Sequence, residues 1–306
     1  MNVPHISYTE GEAFLDWLDL TKALADGHKK PRADVGDTFL YRGPDTLLSR
    51  AAWIDGMGMA VKTATVFPGN PAKGKTGING SVSLFSDEDG SLDALIDFHL
   101  VTKWKTAGDS LLAALMLANR DAETILIVGA GTVARSLTEA FRAGFPMAKQ
   151  HVWNRNLDKA SALAREVGDL SVAPDLREAV TSADIILTAT MSSEPVIKGD
   201  WLRPGQHLNM IGAYRPDMRE TDDEALQRAE IYVDSFDTTL EHIGELKIPL
   251  QSGAITREDV RADFYNLDAF PAFDPGRLTL FKNGGGAHMD LMTSRYILDR
   301  WYDARS

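Results

Sequence analysis

Midway along the chain the apolar run Thr124–Val128 (TILIV) leads straight into Gly129-Ala130-Gly131-Thr132-Val133-Ala134, and a helix-patterned stretch follows to about Ala143. Few local patterns restrict a fold more. A buried strand, a glycine turn and a helix in immediate succession open a parallel βαβ unit. Glycine at 129 permits the tight turn, glycine at 131 lets a pyrophosphate approach the backbone, and Ala134 lets the helix pack close to the strand. The helix start offers free N–H groups and a positive dipole end. The same six residues also suit a βα turn with no ligand. Their place between a strand, a helix and a second strand favours a dinucleotide.

Alternation continues to the C-terminal side. HVWN (151–154) reads as the second strand, and a helix from Leu157 to Val167 stops at Gly168. ADIILTAT (183–190), HLNMIGA (207–213), IYVDS (231–235) and LTLFKN (278–283) supply further strands. This order predicts a parallel sheet with helices on both faces.

The first 119 residues follow another grammar. Thr9 and Glu12 make a T-x-x-E capping box before a stripe of Phe14, Leu15, Trp17, Leu18 and Leu24, closed by Gly27 and Pro31. Thr38–Phe67 is strand-like, broken at Gly43-Pro44, Gly56 and Gly58, and Ser81–Ser86 pairs with Leu92–Asp97 as a hairpin. A helix is expected from about Thr106 to Asn119, with a boundary at Asn119-Arg120-Asp121. The terminal helix, Ala287 to about Tyr302, is too apolar for isolation and is expected to pack on the first part. The fold class is therefore α/β: a dinucleotide-binding domain over 120–286 and an α+β domain from 1–119 with 287–306.

Composition narrows the function. With 32 basic and 44 acidic residues the formal net charge is −12, which disfavours nucleic acid as a partner. The absence of cysteine removes disulfides, thiolate metal sites and a cysteine nucleophile, and fits a cytoplasmic location. No histidine spacing suggests a metal. No apolar run approaches a membrane span, and the N-terminus lacks the pattern of a signal peptide.

The end of the second strand bears on the choice of dinucleotide. An acidic residue there would bind the ribose 2′-hydroxyl of NAD. Asn154-Arg155-Asn156 stands there instead. Arg155 can pair bidentately with a 2′-phosphate, which favours NADPH, with NADH as the alternative; a solvated surface arginine is the plainer reading.

These residues belong to a wider pattern: VKTATVFPGNP, KTAGDSLLAA, ILIVGAG, VWNR, ADIILTAT, IGAYRPDMRE, VDS, GEL and LFKNGGGAHMD, in that order over nearly the whole chain. The pattern resembles the ornithine cyclodeaminase/mu-crystallin family. The resemblance implies a Rossmann domain and a substrate-binding and dimerisation domain. It places Arg32, Lys62 and Lys105 at the substrate carboxylate, with Arg50 and Asn79 near the same pocket. Most relatives have arginine where Lys105 stands, so the clamp gives a point charge rather than a fork. Thr188, Ala189 and Thr190 fall in the cofactor region, and Gly285, within Lys282–His288, borders the nicotinamide. His288 is a weak candidate proton carrier.

Within the family, Tyr214 occupies the place where cyclodeaminases carry a catalytic aspartate, whereas mu-crystallin shares the Arg215-Pro216-Asp217 that follows. The resemblance therefore implies an NADPH-dependent reductase of cyclic ketimine acids: Δ1-pyrroline-2-carboxylate to L-proline, and Δ1-piperideine-2-carboxylate to L-pipecolate. Lys62 is the expected catalytic residue. The alternatives are an NAD-dependent ornithine cyclodeaminase, with Asp217 as a displaced catalyst, and a crystallin-like NADP-dependent binding protein. A homodimer is expected through the first domain, because its hairpin and the helix around Leu111–Met116 carry more apolar surface than one small sheet covers.

Overall fold

Residues 3–306 are described by the computed structural model, and the chain divides into two units, Met1–Lys105 with Gly285–Ser306 and Thr106–Gly284. In the first, β1 (His5–Ile6), α1 (Tyr8–Glu12) and α2 (Trp17–His28) precede β2 (Asp34–Arg42), β3 (Asp45–Ile54), β4 (Gly58–Val66), β5 (Ile78–Phe85) and β6 (Leu92–Asp97). The sheet order is β1-β6-β5-β4-β3-β2, so β2 is an edge strand. The turns sit where glycine allows left-handed backbone, at Gly43 (φ 57°) and Gly56 (φ 75°). Alternation places Ala60, Lys62 and Ala64 of β4 on one buried face.

The first helix differs from expectation. Asp16, not Thr9, caps the apolar stripe, accepting from Leu18 N and Asp19 N at 2.9 Å each. Glu12 does not close a capping box but reaches Lys103 Nζ at 2.6 Å and Trp104 Nε1 at 2.7 Å. Gly27 lies inside α2, pressed against the Met292 side chain, where a Cβ would come within 2.7 Å of sulfur.

A single helix, α3 (Phe98–Leu117), runs where the shorter Thr106–Asn119 was expected, and the division into units falls within it rather than at Asn119–Asp121. Its later half is anchored to the second unit by buried amides. Asn209 Nδ2 donates to Ser110 O at 2.8 Å, and Asn283 Nδ2 donates to Thr106 O at 3.2 Å.

The second unit continues with β7 (Thr124–Val128), α4 (Thr132–Gly144), β8 (Lys149–Trp153), α5 (Leu157–Val167), β9 (Leu170–Val172), α6 (Leu176–Ser182), β10 (Ile185–Thr188) and β11 (His207–Met210). After these come α7 (Asp223–Arg228), β12 (Glu230–Val233), α8 (Phe236–Thr239), α9 (Gly244–Ser252), β13 (Val260–Asp263) and β14 (Thr279–Lys282). All eight strands are parallel, in the order β13-β12-β14-β11-β10-β7-β8-β9. Ile125–Val128 and Ile185–Leu187 are fully buried, as a sheet covered on both faces requires. The run from β9 through β7 to β10 and β11 is the Rossmann order, and the chain reverses direction of travel across the sheet between β7 and β10. α10 (Ala287–Asp303) returns to the first unit and packs on β3 and β4.

Candidate functional site

In the first unit, the register pairs Asp37 of β2 with Arg50 of β3 and Arg50 with Lys62 of β4, so the three share one face. Arg50 Nε donates to Asp37 Oδ1 and Oδ2 at 3.2 and 3.1 Å, and its Nη1 donates to Gly285 O at 3.0 Å. Lys62, 6% exposed, places Nζ 2.9 Å from Asp290 Oδ1 on α10 and 4.7 Å from the Phe98 ring centroid. Burial lowers its pKa to about 8; Asp290 opposes the shift, while Lys105 and Arg50 add to it. Lys105, on α3, is also buried.

Arg32 is exposed, yet its field, with those of Lys105 and Arg50, reaches the buried His288. Desolvation first, then these cations and His28, hold the His288 imidazole well below its ordinary pKa and keep it neutral. Its ring lies 5.4 Å from that of His28, edge to face. A neutral imidazole among cations is a poor proton donor at neutral pH.

Asn79 is not brought to this cluster. It registers with Thr65, an odd number of residues from Lys62, which puts it on the opposite face of the sheet, and its amide donates to Thr76 O at 3.3 Å. Asp290 is the residue the sequence reading missed. Its signal was an acid two places after His288 near the start of a terminal helix expected to be buried.

In the second unit, Gly129 adopts φ 124°, and a Cβ there would stand 2.5 Å from Ala189 O. A Cβ on Gly131 would meet nothing within 4 Å, which leaves room for a ligand against the backbone. No side chain caps the start of α4, and Ala134 is wholly buried. Uncapped helical N–H groups, an open glycine and a buried small residue fit a dinucleotide pyrophosphate across Gly129, Ala130, Gly131, Thr132 and Val133.

Beyond β8, Asn154 Nδ2 donates to Asn156 O at 2.9 Å, and Asn156 caps α5. Both asparagines shape the loop, leaving Arg155 exposed and in no ion pair among the described residues. Thr188 is buried, its hydroxyl 3.5 Å from Met210 Sδ, so its side chain faces the core rather than a ligand. Ala189 and Thr190 follow in the loop. Tyr214 is 57% exposed, and Asp217 is engaged by Arg215 at 2.6 Å, which lowers its carboxyl pKa. Among the described residues no three histidines or carboxylates form a metal site, and no helix is long and apolar enough to cross a membrane.

The sequence profile of the ornithine cyclodeaminase/mu-crystallin family matches residues 52–305. The chain belongs to that family. It is 46% identical over 300 residues, 95% of each chain, to a Delta(1)-pyrroline-2-carboxylate reductase from Paracoccus denitrificans. It is 36% identical over 246 residues to the ketimine reductase mu-crystallin of Rattus norvegicus, covering 79% of this chain and 76% of that one. Among solved structures, an archaeal alanine dehydrogenase dimer with bound NAD matches 100% of this chain and 98% of its own, with a TM-score of 0.89 and 25% identity. The α/β class and the Rossmann-type sheet agree with these relatives.

Proposed function

We propose that this family member is an NADPH-dependent reductase of cyclic ketimine acids, acting on Δ1-pyrroline-2-carboxylate to give L-proline and on Δ1-piperideine-2-carboxylate to give L-pipecolate. The observation that carries the chemistry is the buried Lys62 ammonium, bound to Asp290 and crowded by Lys105 and Arg50. The Paracoccus relative's name supports the choice of ring.

When bound, the reduced nicotinamide supplies a hydride to the imine carbon. The ring nitrogen must take a proton in the same conversion, because an iminium accepts hydride far better than a neutral imine. Lys62 supplies that proton: with its pKa lowered to about 8 it is mostly protonated at neutral pH, yet gives up its proton readily. Asp290 holds Nζ in place, and Lys105 and Arg32 hold the substrate carboxylate. Arg50, fixed by Asp37 and Gly285 O, completes the positive field that orients the acid. Arg155 takes the 2′-phosphate, and its exposure without an acidic partner supports NADPH over NADH.

Cyclodeamination is disfavoured by the exposed Tyr214 and by the engagement of Asp217 with Arg215. The first unit also supports a homodimer, through a surface other than the expected one. Leu111 and Leu112 of α3 are buried within the chain, and the densest group of exposed apolar residues lies on β2 and β3 instead. A cytoplasmic location accords with the lack of cysteine.

The test is NADPH oxidation against a panel of cyclic imino acids, with ornithine plus NAD as control. Turnover of the five-membered ketimine acid is expected. Turnover of ornithine alone, or NADPH binding without any turnover, would overturn the proposal.

A further inference from the structure

By the C-terminal ends of β10 and β11 in the second unit lie two wholly buried carboxylates, Glu220 and Glu245. Buried carboxylates are retained only where donors replace their water. Glu220 Oε1 accepts from Thr190 N at 2.7 Å and Thr190 Oγ1 at 2.8 Å, while Oε2 accepts from Gly212 N at 2.7 Å and Ala213 N at 3.2 Å. One carboxylate thus ties the loop after β10 to the loop after β11. Glu245 holds the clamp in turn, accepting from Glu220 N at 2.6 Å and Thr221 N at 3.0 Å. The loops are pressed together so closely that a Cβ on Gly212 would lie 2.0 Å from Thr190 O.

The first of these loops also abuts the phosphate loop, since Ala189 O is the atom a Cβ on Gly129 would strike. β7, β10 and β11 are neighbours, and the reversal between β7 and β10 is where open parallel sheets bind ligands, at the strands' C-terminal ends. A trans peptide points its C=O opposite its N–H. With the N–H groups of Thr190 and Ala213 turned inward to Glu220, the carbonyls of Ala189 and Gly212 are turned away from it. The clamp therefore sets the direction of backbone acceptors at the rim.

We propose that Glu220 is a positioning residue for the nicotinamide half of the dinucleotide, fixing the peptide groups of Ala189–Thr190 and Gly212–Ala213 against which that half is seated. The inference rests on the reading of the chain as a nicotinamide-dependent reductase.

The experiment compares two classes of ligand. ADP and 2′,5′-ADP carry the adenosine end alone, whereas NADPH carries both ends. In Glu220→Gln one carboxylate oxygen becomes an NH2 that faces a backbone donor. The expected result is a rise in the NADPH Kd and a fall in kcat, each of about tenfold or more, as for a lost charged hydrogen bond. Binding of the adenosine fragments and the KM for the imino acid stay within about twofold of wild type. Thr190→Val removes only the hydroxyl contact and keeps all three backbone amide contacts, so it reports even if Glu220→Gln fails to fold. It is expected to weaken NADPH about threefold and leave the fragments unaffected. Equal losses for fragments and NADPH in these variants, or no loss for either, would overturn the inference. A wild-type protein that binds neither fragment nor NADPH would instead remove the functional reading on which it rests.

Discussion

A lysine taken out of water gives up its proton more readily, and Lys62 shows how far its neighbours decide the outcome. Its pKa falls from 10.5 to about 8 because burial, Lys105 and Arg50 outweigh Asp290. Since the folded value lies below the unfolded one, the unfolded chain binds more protons between these two values. The cost of this group to stability is therefore full below about pH 8 and eases as pH rises toward 10.5. Activity runs the other way. kcat/KM is expected to fall as pH rises through about 8, because the proton that Nζ delivers is lost there. Lys62→Met should lower kcat/KM by roughly 10³, about 4 kcal/mol, with NADPH binding kept. It also strands Asp290, so stability should drop by about 3–5 kcal/mol. The double variant Lys62→Met/Asp290→Asn should recover stability but not turnover. Steady-state kinetics and denaturant melts check both parts, and near-wild-type turnover in Lys62→Met would place the chemistry elsewhere. At the other locus, Arg155→Asp should raise the NADPH KM about 30- to 1,000-fold, the equivalent of about 2–4 kcal/mol, and change NADH much less. Equal effects on the two cofactors would remove Arg155 from the 2′-phosphate.

At the scale of elements, the turn after β7 is the tightest constraint in the second unit. Gly129→Ala demands φ 124° of an alanine and puts its methyl 2.5 Å from Ala189 O, backbone that cannot step aside. Loss of dinucleotide binding, with a lower Tm, is the expected result by titration calorimetry and thermal melts. A variant that binds normally would show that this turn does not shape the site. This turn was legible in the sequence because its chemistry is local: a glycine run between an apolar strand and a helix has few other uses. The strand breaks at Gly43 and Gly56, the hairpin of Ser81–Ser86 with Leu92–Asp97 and the helix Leu157–Val167 were legible for the same reason. Elements set by distant partners were not. β9 and β13 are short strands with little periodicity of their own, and they exist because β8 and β12 offer parallel edges. α3 extends to Phe98 without a start signal other than Asp97, whose side chain accepts from His99 N at 2.8 Å. LTLFKN was legible as a strand, but its place between β11 and β12, inside the sheet rather than at its end, follows from long-range pairing. In the candidate site, Lys62 and Lys105 lie in motifs that sequence can quote. Asp290 closes the quoted LFKNGGGAHMD run, but its pairing with Lys62 depends on how α10 packs on β4, and the Asn79 misplacement depends on strand register, neither of which a motif encodes.

At the scale of the whole molecule, β2 is an edge strand exposed along its full length, with apolar side chains on both faces. Val35, Phe39 and Tyr41 share the face of Arg50, while Leu40 shares the other with Leu47 and Trp53 of β3; Tyr41 is 73% exposed and Leu40 60%. A long apolar edge left open in this way is a template for pairing and aggregation. In the proposed homodimer a second copy of this chain would cover it. Covering β2 has a consequence for the site, because Asp37, which fixes Arg50, belongs to the same strand. The wild-type protein is expected to elute as a dimer, twice 33.5 kDa, by light scattering at micromolar concentration. Leu40→Asp/Tyr41→Lys should shift it to monomer, since an unpaired charge at the centre of an apolar interface costs several kcal/mol, about 2–5 for each buried charge. In that monomer β2 loses its cover, Asp37 holds Arg50 less firmly, and the KM for the imino acid should rise while the NADPH Kd stays near wild type. A wild-type monomer would refute the dimer. A monomeric variant with an unchanged imino-acid KM would keep the dimer but disconnect it from the carboxylate site.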